Sequence, residues 1–279
     1  MKTKENLFWI IITALLVVTL IVSAPKDQPM AIDFEYASRP QYIDYGSVDA
    51  LKGLTNQSVC IWMKPESNYA FQHLFDINSP IVASVSVIGG YSYMNNNGKI
   101  RFLSSFGTGE DTKGGWDSTN SVITAGAENL ICITYNNSST SNDPVLYSNG
   151  ASVAVTEVQA PSGPLVDYAA SPYTKIGIGY TSGVGDPLGT QFDGVIRKIF
   201  VLPFIATADQ IKNEWDSRGA GGLSRRSVFC PILYGAKGLQ AFDGATLAAG
   251  NLIVDPCSGA TGVPTGSPVG VGETYLSIK

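Results

Sequence analysis

Residues able to perform catalysis are sparse in this sequence. His73 is the only histidine, so any Ser-His-Asp arrangement has to use it. It lies in the predicted strand segment Phe71-Gln72-His73-Leu74-Phe75, where we expect a surface-facing position rather than a catalytic base. Asp33 and Glu35 share one face of a predicted strand, and a solvated outer face explains them without acid–base chemistry. We therefore predict no catalytic residue.

Two predicted loops combine aromatic rings with amide or carboxylate groups. The loop 89–98 reads GGYSYMNNNG, and the loop 107–121 carries Trp116 between acidic residues. Sugars bind proteins by stacking on aromatic faces and by hydrogen bonding to polar groups at fixed positions. The predicted ligand-binding residues are Tyr91, Tyr93, Asn95, Asn96, Asn97, Trp116 and Asp117. Ordinary loop composition is the alternative explanation.

The N-terminal 28 residues form a predicted targeting segment. Lys2 and Lys4 precede Leu7–Val22, which carries no charge. A cleaved signal peptide and a retained membrane anchor both fit this pattern, with the N-terminus cytoplasmic in the second case. Pro25 follows the small residues of the cleavage-like site and makes that peptide a poor protease substrate. Both alternatives export the remainder of the chain.

Export makes the four cysteines, Cys60, Cys132, Cys230 and Cys257, candidates for disulfide bonds. Four cysteines allow three pairings, and the sequence alone does not select one. No CxxC or Cys/His spacing is present, which argues against a zinc site. The chain also lacks a basic run beyond Arg225 and Arg226, and its net charge is −5. We therefore expect no nucleic-acid partner.

Short apolar runs separated by Gly, Asn, Asp and Pro predict about a dozen strands. The stretch 129–158 is the clearest example, because Asn149-Gly150 between apolar runs is a strong hairpin signal. One helix is predicted at 207–218, where Thr207 and Gln210 fit a capping box. We expect an antiparallel sandwich over residues 29–222. Residues 223–279 form a cysteine-containing extension that packs on it, with a separate small disulfide domain as the alternative.

Five segments in order resemble the laminin-G/pentraxin-like branch of the concanavalin A-like lectin/glucanase jelly rolls. They are 58–62 (SVCIW), 130–135 with 146–150 (LICITY and LYSNG), 176–180 (IGIGY), 192–196 (FDGVI) and the helix at 207–215. The resemblance covers about Ala31 to Gly219 and implies an all-β jelly-roll fold. It also implies a Cys60–Cys132 disulfide and, by exclusion, a Cys230–Cys257 disulfide.

Departures from the family pattern limit the chemistry that the resemblance implies. The loop 180–186 carries one carboxylate, Asp186, where pentraxin-like members carry an acidic cluster. A two-calcium site is therefore not expected, and a single Ca²⁺ held by Asp186 and carbonyl oxygens is the alternative to no cofactor. The Glu-x-Asp-x-x-Glu motif of the glucanase members is absent from the sequence.

These observations favour an exported, non-enzymatic binding or adhesion protein, secreted or on a cell or virion surface. Its expected partner is a glycan or a surface protein, recognised by loops at the edge of the sandwich. A self-associating subunit of a coat, filament or virion surface is the first alternative, because 58–65 and 130–135 are apolar on both faces. We expect the tail from Leu223, or else a neighbouring subunit, to cover the second face. A concanavalin-like glycoside hydrolase is the second alternative.

Overall fold

Two antiparallel β-sheets face each other across a hydrophobic core. The computed structural model describes residues 30–34, 42–46, 48–51, 53–67, 72–79, 87–94, 98–104, 106, 112–165, 173–177, 192–230, 253–254, 261–265 and 269–272. These ranges lie in one compact unit, Pro29–Gly272. Within them, no helix combines the length and the apolar character that crossing a membrane requires. The targeting segment predicted at 1–28 lies outside the described residues.

The first sheet is built around three central strands that are apolar on both faces. Its described strands are β1 (Met30–Phe34), β3 (Asn56–Pro65), β8 (Asn129–Asn136), β9 (Val145–Ser148), β10 (Ala151–Val153), β13 (Gly194–Leu202) and β16 (Val269–Gly272). They lie in the order β10-β9-β8-β3-β13-β1-β16. Ile61 pairs with Ile131 and Ile199, and all three side chains point into the core between the sheets.

The second sheet presents one face to the core and the other away from it. Its described strands are β2 (Tyr42–Asp44), β4 (Gln72–Ser79), β5 (Val87–Met94), β6 (Ile100–Ser104), β7 (Gly114–Ser118), β11 (Val155–Gln159), β12 (Tyr173–Ile176), β14 (Ile253–Val254) and β15 (Thr261–Thr265). They lie in the order β11-β7-β6-β5-β4-β12-β2-β15-β14. Phe75, Phe102 and Ile176 enter the core from this sheet. The predicted all-β antiparallel sandwich with one short helix is confirmed.

Helix α1 (Ala208–Asp216) begins after the predicted cap residue Thr207 and ends two residues before the predicted limit at 218. The Thr207 hydroxyl accepts a hydrogen bond from the Gln210 amide, and the Gln210 side chain accepts one from the Thr207 amide, which is the predicted capping box. At the other end Gly219 has a positive φ of 86°, a conformation that glycine adopts with little steric cost. Short 3₁₀ turns span Asp49–Leu51 and Leu223–Arg226.

Two of the predicted loops contain strands instead. Segment 89–98 overlaps β5, and segment 107–121 contains β7. Glycine in β7 serves packing rather than a turn: a Cβ on Gly114 would come within 2.7 Å of Trp116 Cζ3, and a Cβ on Gly115 within 3.0 Å of Leu103 Cδ2. Gly114 and Gly115 were therefore interpreted as loop residues, although they allow close packing within a strand.

The part of the stretch 129–158 that follows the Asn149-Gly150 turn is divided between the two sheets. Asn149 and Gly150 have φ values of 52° and 82°, as the Asn-Gly turn requires. The chain then forms β10 against β9 in the first sheet and β11 against β7 in the second. It changes sheet at Ala154, whose carbonyl accepts a hydrogen bond from the Thr119 amide.

Strands from the C-terminal region pair with strands from the N-terminal region. β16 pairs with β1 in the first sheet, and β15 pairs with β2 in the second. Phe229 bridges to Val201 and packs in the core. The division into segments 1–28, 29–222 and 223–279 stays a prediction.

Candidate functional site

A row of paired positions crosses five neighbouring strands of the second sheet. The positions pair successively across β4, β5, β6, β7 and β11, and they are His73, Tyr93, Arg101, Asp117 and Thr156. We call these five positions the polar row. Ile100 and Phe102, on either side of Arg101, are buried in the core, so Arg101 lies on the outer face of the sheet. The row places a histidine, a tyrosine, an arginine, an aspartate and a threonine at adjacent register positions.

An ion pair between Arg101 and Asp117 forms the centre of the polar row. Arg101 Nη2 donates to Asp117 Oδ2 over 2.6 Å, and Arg101 Nε donates to Asp117 Oδ1. The two side chains keep 28% and 12% of their surface exposed. The bidentate geometry fixes the guanidinium plane, because two parallel hydrogen bonds restrict rotation. The partly exposed pair therefore presents a guanidinium and a carboxylate in a fixed orientation on the outer face.

The two predicted tyrosines lie in β5 rather than in a loop. Tyr93 pairs with His73 and Arg101, whereas Tyr91 pairs with Asp76 and Leu103. The predicted residues Asn95, Asn96 and Asn97 lie outside the described residues. Arg101 and Thr156 were absent from the sequence predictions, although the Ile100-Arg101-Phe102 alternation was a usable signal for an outward-facing cation.

His73 is buried, which corrects the predicted surface-facing position. It keeps 7% of its surface exposed, and burial lowers the pKa of its imidazole to about 3. Desolvation disfavours the charged form, so the ring is neutral at pH 7. A neutral imidazole offers one donor and one acceptor, and it makes a poor proton acceptor at that pH. Phe71 and Phe75, each two residues from His73, share its face in a regular strand, so they were a usable signal for burial.

Trp116 is a core residue, so its ring has no face left for a sugar. It is 1% exposed and lies between Phe102 and Tyr135, with ring centroids 6.0 and 5.2 Å away. Its indole Nε1 donates to Asp143 Oδ1 over 2.8 Å. Of the predicted pair in this segment, only Asp117 reaches the outer face. Residues that follow one another in a strand point to opposite faces, which separates the two roles.

The sequence profile of the concanavalin A-like lectin/glucanases superfamily, in its laminin-G branch, matches residues 39–212. The chain belongs to this superfamily. The matched range lies within the predicted resemblance, about Ala31 to Gly219, and ends within α1. A search of curated proteins finds no match.

Solved structures of low sequence identity share the superfamily fold. A heptameric SAP-like pentraxin from Limulus polyphemus is 15% identical with a TM-score of 0.51, covering 71% of this chain and 87% of its own. A proposed carbohydrate-binding protein from Bacteroides ovatus is 12% identical with a TM-score of 0.57, covering 91% and 63%. The sialyllactose-bound CBM40 module of a Ruminococcus gnavus sialidase is 15% identical, with a TM-score of 0.47 and coverage of 66% and 96%. At these identities the likeness shows the fold alone.

The disulfide that the superfamily resemblance implied is present. Cys60 and Cys132 lie directly opposite each other on β3 and β8 and are joined by a disulfide bond. Both are fully buried. Cys230 is also disulfide-bonded, and its predicted partner, Cys257, lies outside the described residues.

Metal binding at Asp186 stays a prediction. Asp186 and the rest of the loop 178–191 lie outside the described residues. Among the residues that are described, no group of three or more His, Cys, Asp or Glu side chains is placed to hold a metal ion.

The outer face of the first sheet is covered by α1 and by the segment that follows it. Ile211 on α1 and Leu223 pack with Trp62, Phe200 and other residues of the sheet in a second hydrophobic cluster. The predicted tail contributes through Leu223 and Cys230, but α1 was not foreseen in this role.

A stack of aromatic and cationic groups holds α1 against the sheet. Trp62 stacks on Trp215 with ring centroids 5.3 Å apart. Arg197 Cζ lies 4.4 Å from the Trp62 ring centroid, and Arg218 Cζ lies 4.7 Å from that of Trp215. Glu128 binds both arginines, through Nη1 of Arg197 at 2.6 Å and Nη1 of Arg218 at 3.4 Å. This face is therefore filled, whereas the second sheet carries the polar row.

Proposed function

We propose that the chain is an exported, non-enzymatic binding or adhesion protein that recognises a glycan through the outer face of its second sheet. The observation that carries the proposal is the Arg101–Asp117 pair, which remains partly exposed beside register positions Tyr93 and Thr156. Membership of a lectin superfamily supports it, and the similar solved structures are mainly carbohydrate-binding and lectin-like proteins. Residues 1–28 supply the export signal or anchor.

The proposed recognition depends on hydrogen-bonding groups that are fixed before the ligand arrives. Sugar hydroxyls both donate and accept, so a guanidinium and a carboxylate in a rigid pair can hold two neighbouring hydroxyls. Rigid groups bind with a smaller loss of side-chain entropy than mobile ones. The Thr156 hydroxyl is exposed and bonded to the exposed Thr119 hydroxyl at 3.1 Å, which extends the polar surface at the edge of the sheet.

The tyrosine positions supply the apolar part of the proposed contact. Tyr91 and Tyr93 are two residues apart in β5, next to the ion pair in the register. Sugar rings present C–H faces that pack on aromatic rings, and such contacts complement the hydrogen bonds. Asn95, Asn96 and Asn97 follow β5 directly in the sequence. This proposal moves the predicted site from the edge loops towards the sheet itself.

The test is a glycan array probed with the purified full chain, with and without Ca²⁺, followed by calorimetry on any glycan that binds. We expect saturable binding, and about tenfold weaker affinity for Arg101→Ala and Tyr93→Ala. Because Arg101→Ala removes the cation that binds the Asp117 carboxylate, Arg101→Lys is the gentler variant. Lysine keeps the positive charge but cannot make the two parallel hydrogen bonds that the Arg101 guanidinium donates to Asp117. Thr156→Ala alters only an exposed hydroxyl.

Lys212→Ala is the matched control for the arginine variants. Lys212 binds Asp216 at 2.5 Å on α1, which covers the first sheet, so this change removes an exposed cation far from the polar row. It should leave glycan affinity unchanged. Equal affinities for wild type and all polar-row variants would refute the assigned surface. Hydrolysis of any polysaccharide by the purified chain would contradict the non-enzymatic assignment.

The structural-subunit alternative loses its motivating observation. The second apolar face of β3 and β8, which called for a neighbouring subunit, is covered by α1 and Leu223. Self-association is tested by light scattering of the full chain in a mild detergent across a concentration series. A constant mass argues for the binding function and against a coat or filament subunit.

A further inference from the structure

The sequence contains three Asn-x-Ser/Thr acceptor patterns, which begin at Asn56, Asn136 and Asn137. Such patterns are the sites at which an oligosaccharide can be attached to the asparagine side chain. All three lie in described residues, so their conformations can be compared directly. Two of the patterns overlap, and their asparagines are neighbours at the end of β8.

Asn136 combines an exposed side chain with a hydroxyl partner in the required position. Its Oδ1 accepts hydrogen bonds from the Ser138 amide at 3.1 Å and from the Ser138 hydroxyl at 2.6 Å. These bonds withdraw electron density from the amide oxygen and fix the orientation of the side chain. The Nδ2 atom, by contrast, makes no hydrogen bond within the described part of the chain. The nitrogen that must react is thus exposed while the oxygen is held.

Asn137 has the opposite surroundings. It is fully buried, and its backbone amide donates to the Thr55 carbonyl at 2.9 Å. The hydroxyl of Ser139, which its pattern needs, bonds to Ser141 Oγ at 2.7 Å instead. An oligosaccharide on Asn137 would have to pass through packed protein, so the segment would have to unfold to carry it.

Asn56 is exposed, but its pattern lacks an available hydroxyl. Ser58 is fully buried. Its Oγ donates to the Phe204 carbonyl at 2.7 Å and accepts from the Ala206 amide at 2.8 Å. Asn56 and Ser58 are both held in β3 by pairing with β8. The hydroxyl therefore cannot turn towards the Asn56 amide while the strand is intact.

We propose that Asn136 is the N-glycan acceptor of the folded chain, and that Asn137 and Asn56 are not. In the reaction Asn136 Nδ2 forms a bond to the anomeric carbon of a lipid-diphosphate-linked oligosaccharide. The bond between that carbon and the phosphate oxygen breaks, the lipid diphosphate leaves with the electron pair, and the amide loses one proton to a carboxylate base of the transferase. This inference is independent of the proposed glycan-binding surface on the second sheet.

The test incubates the purified full chain with a single-subunit oligosaccharyltransferase and a lipid-linked oligosaccharide donor. One sample is folded, and a second is reduced and unfolded with urea before dilution into the reaction. Enzymatic glycan release in ¹⁸O-labelled water then marks each occupied asparagine for peptide mapping. We expect Asn136 alone to be modified in the folded sample, and all three asparagines to be modified in the unfolded one.

Adjacent serines provide a matched pair of variants. Ser138→Ala removes the hydroxyl that binds Asn136 Oδ1 and should reduce modification of Asn136 to background. Ser139→Ala destroys only the Asn137 pattern and should leave modification of Asn136 unchanged. Thr119→Asn creates a further pattern with Ser121. Both positions are exposed and follow β7 directly, so this variant reports the activity of the transferase on the folded chain.

Three outcomes would overturn the proposal. The first is an unmodified Asn136 in the folded Thr119→Asn variant when position 119 of the same protein is modified. The second is modification of Asn137 or Asn56 in the folded sample to the same extent as Asn136. The third is modification of the unfolded sample only, which would show that no pattern is usable in the native conformation.

Discussion

Asn149 and Leu130 exchange two hydrogen bonds that fasten the β9–β10 turn to the start of β8. The Asn149 amide donates to the Leu130 carbonyl, and the Leu130 amide donates to Asn149 Oδ1, both over 2.8 Å. Leu130 is fully buried, so its amide has no access to water if the side chain of Asn149 is removed. Asn149 therefore has two roles. It adopts the positive φ that the turn requires, and its side chain completes the hydrogen bonding of β8.

Asn149→Ala should lower the free energy of unfolding by about 2 kcal/mol. The change leaves the buried Leu130 amide without an acceptor and places alanine at positive φ. Asn149→Asp keeps an acceptor oxygen and should cost less. Asn149→Gly keeps the turn conformation but loses the acceptor, so it isolates the hydrogen bond. Urea unfolding of the three variants gives the values. Equal stability of Asn149→Ala and Asn149→Asp would show that the side-chain acceptor contributes nothing.

His73 should make the stability depend on pH below about 6.5. Burial lowers its pKa to about 3 in the folded chain, whereas the unfolded chain takes up the proton at about 6.5. The unfolded state then binds more protons between these values, so the free energy of unfolding falls as the pH drops, by about 1.4 kcal/mol per pH unit. Above about pH 7 the contribution is constant.

The measurement is urea unfolding of wild type and His73→Gln at pH 7.5, 6.0 and 5.0. Glutamine keeps a polar side chain but does not titrate, so the difference between the two proteins isolates the imidazole. We expect wild type to lose more stability than the variant on acidification. Parallel pH profiles would mean that His73 takes up its proton at the same pH in the folded and unfolded states.

Local signals in the sequence were sufficient for much of the fold. The Asn149-Gly150 turn, the Thr207–Gln210 capping box and the two-faced apolar strands all act over a few residues, and each is present in the structure. The order of the segments then indicated the superfamily. These features could be predicted because their physical causes lie within one turn or one strand.

The candidate site was harder to predict, because its features depend on pairing between distant strands. Trp116 looked like a loop aromatic until β6 and β8 buried its ring. Arg101 could be assigned to the candidate site only because it forms an ion pair with Asp117 on the neighbouring strand. Likewise, the pKa of His73 depends on its burial in the folded chain. Composition does not encode these relationships, since they arise when the sheets assemble.

The Cys60–Cys132 disulfide should contribute about 2–5 kcal/mol to stability, because it restricts the unfolded chain. We expect the double variant Cys60→Ala, Cys132→Ala to show a correspondingly lower urea midpoint under non-reducing conditions. The two residues are 72 apart in sequence and paired in register, so the variant should keep the strand pairing of the native sheet.

Wild type treated with a reductant is the control for side-chain size. It retains both sulfur atoms and should resemble the double variant in stability, apart from the effect of reducing Cys230. Non-reducing peptide mapping of wild type should recover Cys60 linked to Cys132. An unchanged urea midpoint in the double variant would show that strand pairing alone fixes β3 to β8.

The buried end of α1 depends on Glu214, which is fully buried and serves two partners. Its Oε1 binds Lys198 Nζ at 3.2 Å, and its Oε2 accepts from the Leu223 amide at 3.2 Å. Burial lowers the pKa of Lys198, and the Glu214 carboxylate offsets part of that shift. Glu214→Ala should therefore cost about 3–5 kcal/mol, since it leaves the Leu223 amide without an acceptor and leaves Lys198 Nζ, a partly buried cation, with the Gly219 carbonyl but no carboxylate.

Asp216→Ala is the matched control on the same helix, because Asp216 pairs with Lys212 on the exposed side. Exposed pairs four residues apart contribute only about 0.5 kcal/mol or less. Glu214→Gln should fall between the two, since its amide oxygen can still accept one of the two hydrogen bonds. Urea unfolding of the three variants ranks them. Equal losses for Glu214→Ala and Asp216→Ala would mean that the Trp62–Trp215 stack, and not Glu214, holds this end of the helix.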